Sequence, residues 1–247
     1  MKGKYVVAFL ALFAMALLIV PTAARAGTFD GTDMQLDLCN SGDTNAGACG
    51  TNTVNFDDGG TGSISFNKIA VGVWNINSGN AFGSDGLLML PHLLDLSAIN
   101  MTDSGGGTGS NALKMELTLT GLTVPLPSLT AIQAMGGTFN FGGTATYTSQ
   151  AWISTTNSAF CVTGCSSLTS LLSFTGTGTQ GFGGSTMGTK GTVNPYSLTL
   201  VVTLSSATSG HASFDSSIDI PEPATLSVLG AALLGLGTGI RRKLTKA

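Results

Sequence analysis

The sequence predicts a mainly β protein, an antiparallel β-sandwich of jelly-roll type, flanked by an N-terminal signal peptide and a C-terminal transmembrane helix. Several segments alternate apolar and polar residues with a period of two, and glycine-rich stretches separate them, with 35 glycines in 247 residues. Charged residues make up only 9% of the chain, against about 25% in an average protein. Solubility therefore rests on Ser, Thr and Asn, which suit the outer faces of strands. Short strands of this kind, separated by turns, bury one face each against a common core.

At the N-terminus Lys2 and Lys4 precede an apolar run from Val6 to Val20, followed by Pro21 and Ala24-Arg25-Ala26. That order describes a secretory signal peptide over residues 1–26, exported through the Sec machinery and cut by signal peptidase after Ala26, leaving Gly27 as the new terminus. The two apolar ends raise the mean hydropathy of the whole chain, so its positive value does not describe the body between them.

The body, residues 27–220, is long enough for one core and is expected to be a single exported β-rich domain. It holds Asp30, Asp33, Asp37, Asp43, Asp57, Asp58, Asp85, Asp95, Asp103, Glu116, Asp215 and Asp219 against Lys68, Lys114 and Lys190. Twelve acids less three bases leave a net charge of −9, which argues against nucleic acid and anionic membrane surfaces as partners. The four cysteines, Cys39, Cys49, Cys161 and Cys165, all fall in the exported part. Oxidation is favoured there, and of three connectivities two local disulfides are the simplest. Zinc is the rival reading, but C-x9-C and C-x3-C spacings and only two histidines do not suit it.

From Gly27 to Gly62 the chain is acidic and glycine-rich. Asp30, Asp33, Asp37, Asp57 and Asp58 invite comparison with a calcium site, which needs six to eight oxygen ligands. Their spacing fits neither an EF-hand nor a glycine-rich calcium repeat, so they are expected to be solvated loop acids, with no metal and no cofactor.

Strand patterning begins at Ser63. Ile64 and Phe66 alternate with Ser63, Ser65 and Asn67, and Ile69, Val71 and Val73 resume the alternation one residue later, as a bulge would cause. Residues 87–99 are leucine-rich, and Pro91 makes a long helix unfavourable, leaving a strand or a short helical turn open. Leu113, Met115, Leu117 and Leu119 face one way and Lys114, Glu116, Thr118 and Thr120 the other, a half-buried strand. Phe139 and Phe141 precede Ala145 and Tyr147, with Gly142-Gly143 between them suggesting a bulge or bend. Tyr196, Leu198, Leu200, Val202 and Leu204 line one face of a further strand, and Ala212, Phe214, Ser216 and Ile218 are expected to pair with it as a closing hairpin.

Catalytic motifs are missing: there is no G-x-S-x-G, no H-E-x-x-H and no P-loop. Gly176-Thr177-Gly178-Thr179-Gln180-Gly181 matches G-x-G-x-x-G, but the next residues, FGGSTMGTKG, read as loop, and no acid stands about twenty residues on. His92 and His211 lack a nucleophile and orienting acid at a motif-like spacing. His211 and Asp215, four apart on one strand face, sit about 13 Å from each other. A glycosidase would need two convergent carboxylates, and nothing in the sequence selects a pair. Trp74 and Trp152 could stack on sugar rings or pack in the core, and core packing is the simpler expectation. No catalytic residue emerges, and the chain is not read as an enzyme.

The C-terminus is the most informative stretch. Pro221-Glu222-Pro223 is followed by an uncharged run from Ala224 to Ile240 and then Arg241, Arg242, Lys243 and Lys246. Seventeen helical residues at about 1.5 Å each span roughly 25 Å, a short membrane crossing. The cations would hold the tail, residues 241–247, in the cytoplasm and leave everything before Pro221 outside. The two prolines impose extended, unpaired backbone on which a protease could act. Ala231, Gly235 and Gly239 form a small-residue face where another helix could approach, or are merely tolerated in a temporary anchor.

Residues 221–247 resemble the PEP-CTERM sorting signal of bacterial surface proteins. That resemblance implies an exosortase-like processing enzyme as partner, an inner-membrane anchor before processing, and a cell-surface or extracellular destination in an exopolysaccharide or biofilm setting. The leading expectation is therefore a structural or adhesive surface protein. Two alternatives stand beside it: an extracellular carbohydrate-binding module using sandwich loops, with calcium as a candidate ligand, and a secreted polysaccharide-active enzyme.

Overall fold

The computed structural model describes residues 33–40, 53–83, 94–123 and 128–219. They form eleven strands: β1 (Met34–Asn40), β2 (Val54–Asp57), β3 (Ser63–Val71), β4 (Trp74–Gly83), β5 (Leu94–Asp103), β6 (Leu113–Leu122), β7 (Ser128–Ser154), β8 (Ser166–Ser167), β9 (Leu172–Gly191), β10 (Tyr196–Ser206) and β11 (Gly210–Asp219). Every pairing between them is antiparallel. The mainly β, antiparallel expectation therefore holds. Hydrogen bonds run through the order β2-β1-β6-β10-β7-β11-β5-β4-β3, with β8 and β9 also on β7.

The long strand β7 organises this sheet. Its Ser128–Ser149 stretch pairs with β9 along one edge. The other edge is used twice, by β11 against Ile132–Phe141 and by β10 against Ala145–Ser154. Between the two lie Gly142 and Gly143, where the register with β9 also shifts. Here the sheet doubles back. In a straight strand Phe174 and Phe182 would lie about 26 Å apart, yet their rings stack with centroids 5.4 Å apart. On β9 the fold falls at Gly178, whose φ of +71° lies in the left-handed region that glycine enters without steric cost.

Two layers result. The first holds β3, β4, β5, β11, the first half of β7 and the second half of β9; the second holds β2, β1, β6, β10 and the complementary halves of β7 and β9. Alternation on each strand sends Leu36, Leu38, Met115, Leu117, Leu198 and Leu200 inward from the second layer and Ile76, Leu94, Leu96, Met101 and Phe214 from the first, all fully buried. Near the fold, Phe139, Tyr147, Phe174, Phe182 and Phe214 meet edge to face, tilted or stacked, with centroids 4.7–5.9 Å apart, a range suited to aromatic packing.

Some expectations need correction. β11 does not form a hairpin with β10. Both run antiparallel to β7, end to end, with Ser206 opposite Ala145 and Gly210 opposite Phe141, because residues 207–209 cross the same fold line as Gly142-Gly143. Thr208 fixes that crossing, its hydroxyl accepting the Gly143 N–H at 2.7 Å. Residues 182–191 are not loop but strand. Their many glycines hide the period of two, and pairing with β7 supplies the order. Likewise β1 and β2 lie in the stretch read as acidic loop.

The change of phase expected after Asn67 is present, with Lys68 at φ +53° and burial passing from Ile64 and Phe66 to Val71. No residue is inserted as in a bulge, however, since β3 keeps one register with β4 from Ser63 to Val71. A matching irregularity occurs on β5 at Ala98, φ +52°, where the backbone N–H donates to the Asp215 carboxylate at 2.6 Å. The leucine-rich stretch becomes strand from Leu94 onward, and residues 84–93 lie outside the described residues. So do the signal-cleavage residues Ala24, Ala26 and Gly27, the motif Pro221, Glu222 and Pro223, the span 224–240, and Arg241, Arg242, Lys243 and Lys246. Among the described residues no helix is long and apolar enough to cross a membrane.

Candidate binding face

Residues pointing away from the core of the first layer form a continuous, in-register polar surface. One row runs Asn75, Thr102, His211, Asn140 and Thr179; the next runs Asn67, Ser78, Asn100, Ser213, Thr138 and Gly181. A third includes Ser65, Asn80 and Ser97, and a fourth Ser63, Phe82, Asp95 and Ser217. Six strands at about 4.8 Å give a face about 24 Å wide. Most of these side chains are exposed, including Asn67, Asn75, Asn100, Asn140, Ser78 and Ser213.

The amides on this face are held by one another. Asn77 Nδ2 donates to Asn100 Oδ1 at 3.0 Å, and Ser65 Oγ donates to Asn80 Oδ1 at 2.8 Å. A primary amide has two donors and two acceptor lone pairs, so each bond orients a side chain that keeps capacity for an incoming hydroxyl. Lys68, Asp95 and Asp215 add few charges. Phe82, 45% exposed, supplies an apolar platform at the rim.

The outer face of the second layer differs. Asp37 and Glu116 lie directly opposite each other on β1 and β6, and both are buried. Asn55 Nδ2 donates to Asp37 Oδ1 at 2.5 Å, and Lys114 Nζ lies 2.5 Å from Glu116 Oε1. Part of this face is covered by the segment after β7, whose Phe160 N–H donates to Thr118 Oγ1 at 3.3 Å and whose Ser158 carbonyl accepts from Ser197 Oγ at 2.5 Å. Here is the convergent carboxylate pair that the sequence could not select, but its burial leaves no room for a sugar.

Burial pushes the Asp37 carboxyl up to about 6 from 3.8, and the repulsion of Glu116 adds to it, while the Asn55 bond and Lys114 oppose the change. Asp103 is raised too, mainly by burial. A carboxyl with a folded-state pKa above its unfolded value binds its proton more tightly when folded, so stability is fully present below the unfolded pKa and is lost as pH rises through the folded one. Thermal unfolding should therefore show Tm falling between about pH 4 and pH 7. Asp37→Asn, which keeps an acceptor for Asn55, should flatten that slope and raise Tm by a few degrees at pH 8; an unchanged slope would remove Asp37 as its source.

Other residues singled out from the sequence are scattered. Trp74 is fully buried, its indole N–H donating to the Asn111 carbonyl at 2.8 Å. Trp152 is half-buried on the second layer. His211 and Asp215 both point outward from β11, as alternation implied, and His92 lies outside the described residues. Asp58 is buried rather than solvated: its carboxylate accepts the N–H groups of Met34 at 3.1 Å and Gly62 at 2.5 Å and so fixes the turn into β3. Cys161 and Cys165 form a disulfide. Cys39 is also disulfide-bonded, and its expected partner Cys49 lies outside the described residues. Phe82 is not evident as a surface residue from the sequence, because an aromatic in phase with Trp74 and Ile76 reads as core, whereas on β4 burial passes at Asn77-Ser78 from Trp74 and Ile76 to Ala81 and Gly83.

No family model matches the chain, and no curated protein does. Solved structures that it resembles include the carbohydrate-binding module TmCBM61 in complex with β-1,4-galactotriose, at 7% identity and TM-score 0.30, covering 65% of this chain and 90% of that one. Another is the N-terminal cellulose-binding domain of Cellulomonas fimi β-1,4-glucanase C, at 7% identity and TM-score 0.31, covering 66% and 90%. A third is the CBM22-1 xylan-binding domain of Paenibacillus barcinonensis Xyn10C, at 11% identity and TM-score 0.26, covering 66% and 94%. At these scores the likeness carries no inference about what this chain binds.

Proposed function

We propose that this chain is a non-enzymatic exported surface protein whose first layer binds a neutral polysaccharide across its outer face. The observation that carries the reading is the exposed, in-register field of amides and hydroxyls with Phe82 at its rim. Sugar hydroxyls both donate and accept hydrogen bonds, and oriented amides do the same. With so few cations on the face, a neutral polymer fits better than an anionic one. The converging carboxylates Asp37 and Glu116 are buried and bonded, which favours binding over hydrolysis. Delivery belongs to the same proposal and rests on the sequence of residues 221–247: an exosortase-like protease would cut near Pro221-Glu222-Pro223 and leave the β-domain at the cell surface, within exopolysaccharide.

Affinity electrophoresis through gels containing dextran, galactan, xylan or mannan tests the binding. Retardation by at least one polymer is expected, reduced fivefold or more by Phe82→Ala combined with Asn100→Ala and unchanged by Thr148→Ala on the second layer. Retention that survives the double substitution would move the site elsewhere, and absence of retention would leave a purely structural surface protein. Intact mass and C-terminal sequencing of the cell-derived protein, with and without the exosortase, tests the delivery: a chain that keeps Arg241 to Ala247 in both strains would refute it.

A further inference from the structure

Among the described residues the two layers share one open edge, and it is formed by a single strand. Among the described residues β9 pairs only with β7, over both halves of its length, so its second edge offers N–H and C=O groups in both layers. Natural sheets blunt such edges with charges, proline, bulges or short strands. The opposite edges obey that rule: β2 has four residues, and β3 carries the charged Lys68 in mid-strand with φ +53°. β9 does not. Over 20 residues it has no proline, and its one charge, Lys190, stands next to its end.

We infer that β9 is a homotypic interface, pairing antiparallel with β9 of a second copy so that each layer of one molecule continues into the other layer of its partner. The folded shape of β9 supports this. A twofold axis through the fold brings the first half of one β9 beside the second half of the other, in both layers at once, and only a register centred near Gly178 lets the two fold lines coincide. Alternate residues of a strand direct their N–H and C=O to the same edge, so self-pairing joins residues of equal parity and the choice narrows to steps of two.

Side chains select among these steps. Leu171 and Met187, 56% and 66% exposed, lie on the same outward side and are equidistant from Thr179. Centring the pair on Thr179 sets Leu171 of each copy against Met187 of the other and covers both. The same register sets Phe174 against Gly184, Phe182 against Gly176 and Ser173 against Ser185. No two like charges meet, since Lys190 falls beyond the paired segment.

Sedimentation velocity on the protein as exported by cells should give a dimer mass at micromolar concentration. The double variants Ser173→Lys with Ser185→Lys, and Ser173→Asp with Ser185→Asp, place like charges opposite each other at exposed positions. Each alone should sediment as a monomer with unaltered circular dichroism, and an equimolar mixture should recover the dimer. Separately, Thr179→Cys should crosslink into a dimer on oxidation, whereas Thr146→Cys, on β7, should not. A wild-type monomer at 100 µM, variants that dimerise as wild type does, or a mixture that stays monomeric would each overturn the interface.

Discussion

Replacing Phe139 with alanine is expected to destabilise the domain by about 3–5 kcal/mol, the usual range for emptying a buried phenylalanine site. Phe139 is 1% exposed, and its ring centroid lies 6.1 Å from Phe141, 5.7 Å from Phe174 and 5.9 Å from Phe182. Phe174 and Phe182 come from the two halves of β9. Phe139 is therefore one of the rings across which the folded sheet closes on itself, and neighbours drawn from opposite layers cannot collapse into the void without moving the layers apart. Denaturant unfolding followed by tryptophan fluorescence measures the loss as a fall in midpoint. Phe82→Ala, at an exposed site, should cost under about 1 kcal/mol in the same experiment. Equal losses at the two positions would mean that the fold line is not where stability is concentrated.

How far the sequence discloses this fold depends on which physical signal each segment carries. Strands β6 and β10 are legible because Leu113–Leu119 and Tyr196–Leu204 alternate without interruption, and one buried face is enough to set the phase. The bend at Gly142-Gly143 is legible for a different reason, since two glycines inside an alternating run mark a break. Its angle is not legible, and neither is the transfer of β11 to another layer. Both depend on Phe174 reaching Phe182, a contact made by tertiary folding and by no local preference. In β9 the glycines leave too few side chains to show a period. The candidate binding face is harder still, because its rows combine residues of β3, β4, β5, β11, β7 and β9, and only pairing registers bring Asn67, Asn100 and Thr138 into one line. Alternation marks Asn67 and Ser213 as outward-facing; it does not say that they are neighbours across a surface.

The second large effect is expected at Gln133, which ties the two layers together away from the fold line. Gln133 lies on the first half of β7 and is fully buried, as is Ser149 on the second half, with Ser216 and Thr169 buried beside them. Gln133 Nε2 donates to Ser149 Oγ at 2.6 Å, its Oε1 accepts from Thr169 Oγ1, and the Ser149 and Ser216 hydroxyls lie 2.7 Å apart. Thr169 Oγ1 in turn accepts the Ala151 N–H at 3.2 Å. Gln133→Met preserves length and most of the volume while removing both the donor and the acceptor. The thioether leaves the Thr169 hydroxyl hydrogen without its amide acceptor, and Ser149 loses a donor. Leaving buried polar groups unsatisfied costs about 1–3 kcal/mol each, so a loss of about 2–4 kcal/mol is expected. A double-mutant cycle separates this from repacking: Ser149→Ala removes the hydroxyl that Gln133→Met strands, while Ser216 still reaches the Ala134 carbonyl at 3.3 Å. The two changes together should cost less than their sum by at least about 1 kcal/mol, as contacting residues of one network do. Strict additivity would mean that Gln133 stabilises the domain through packing alone, and that the layers are held by the aromatic cluster and the aliphatic core rather than by the polar bridge between the two halves of β7.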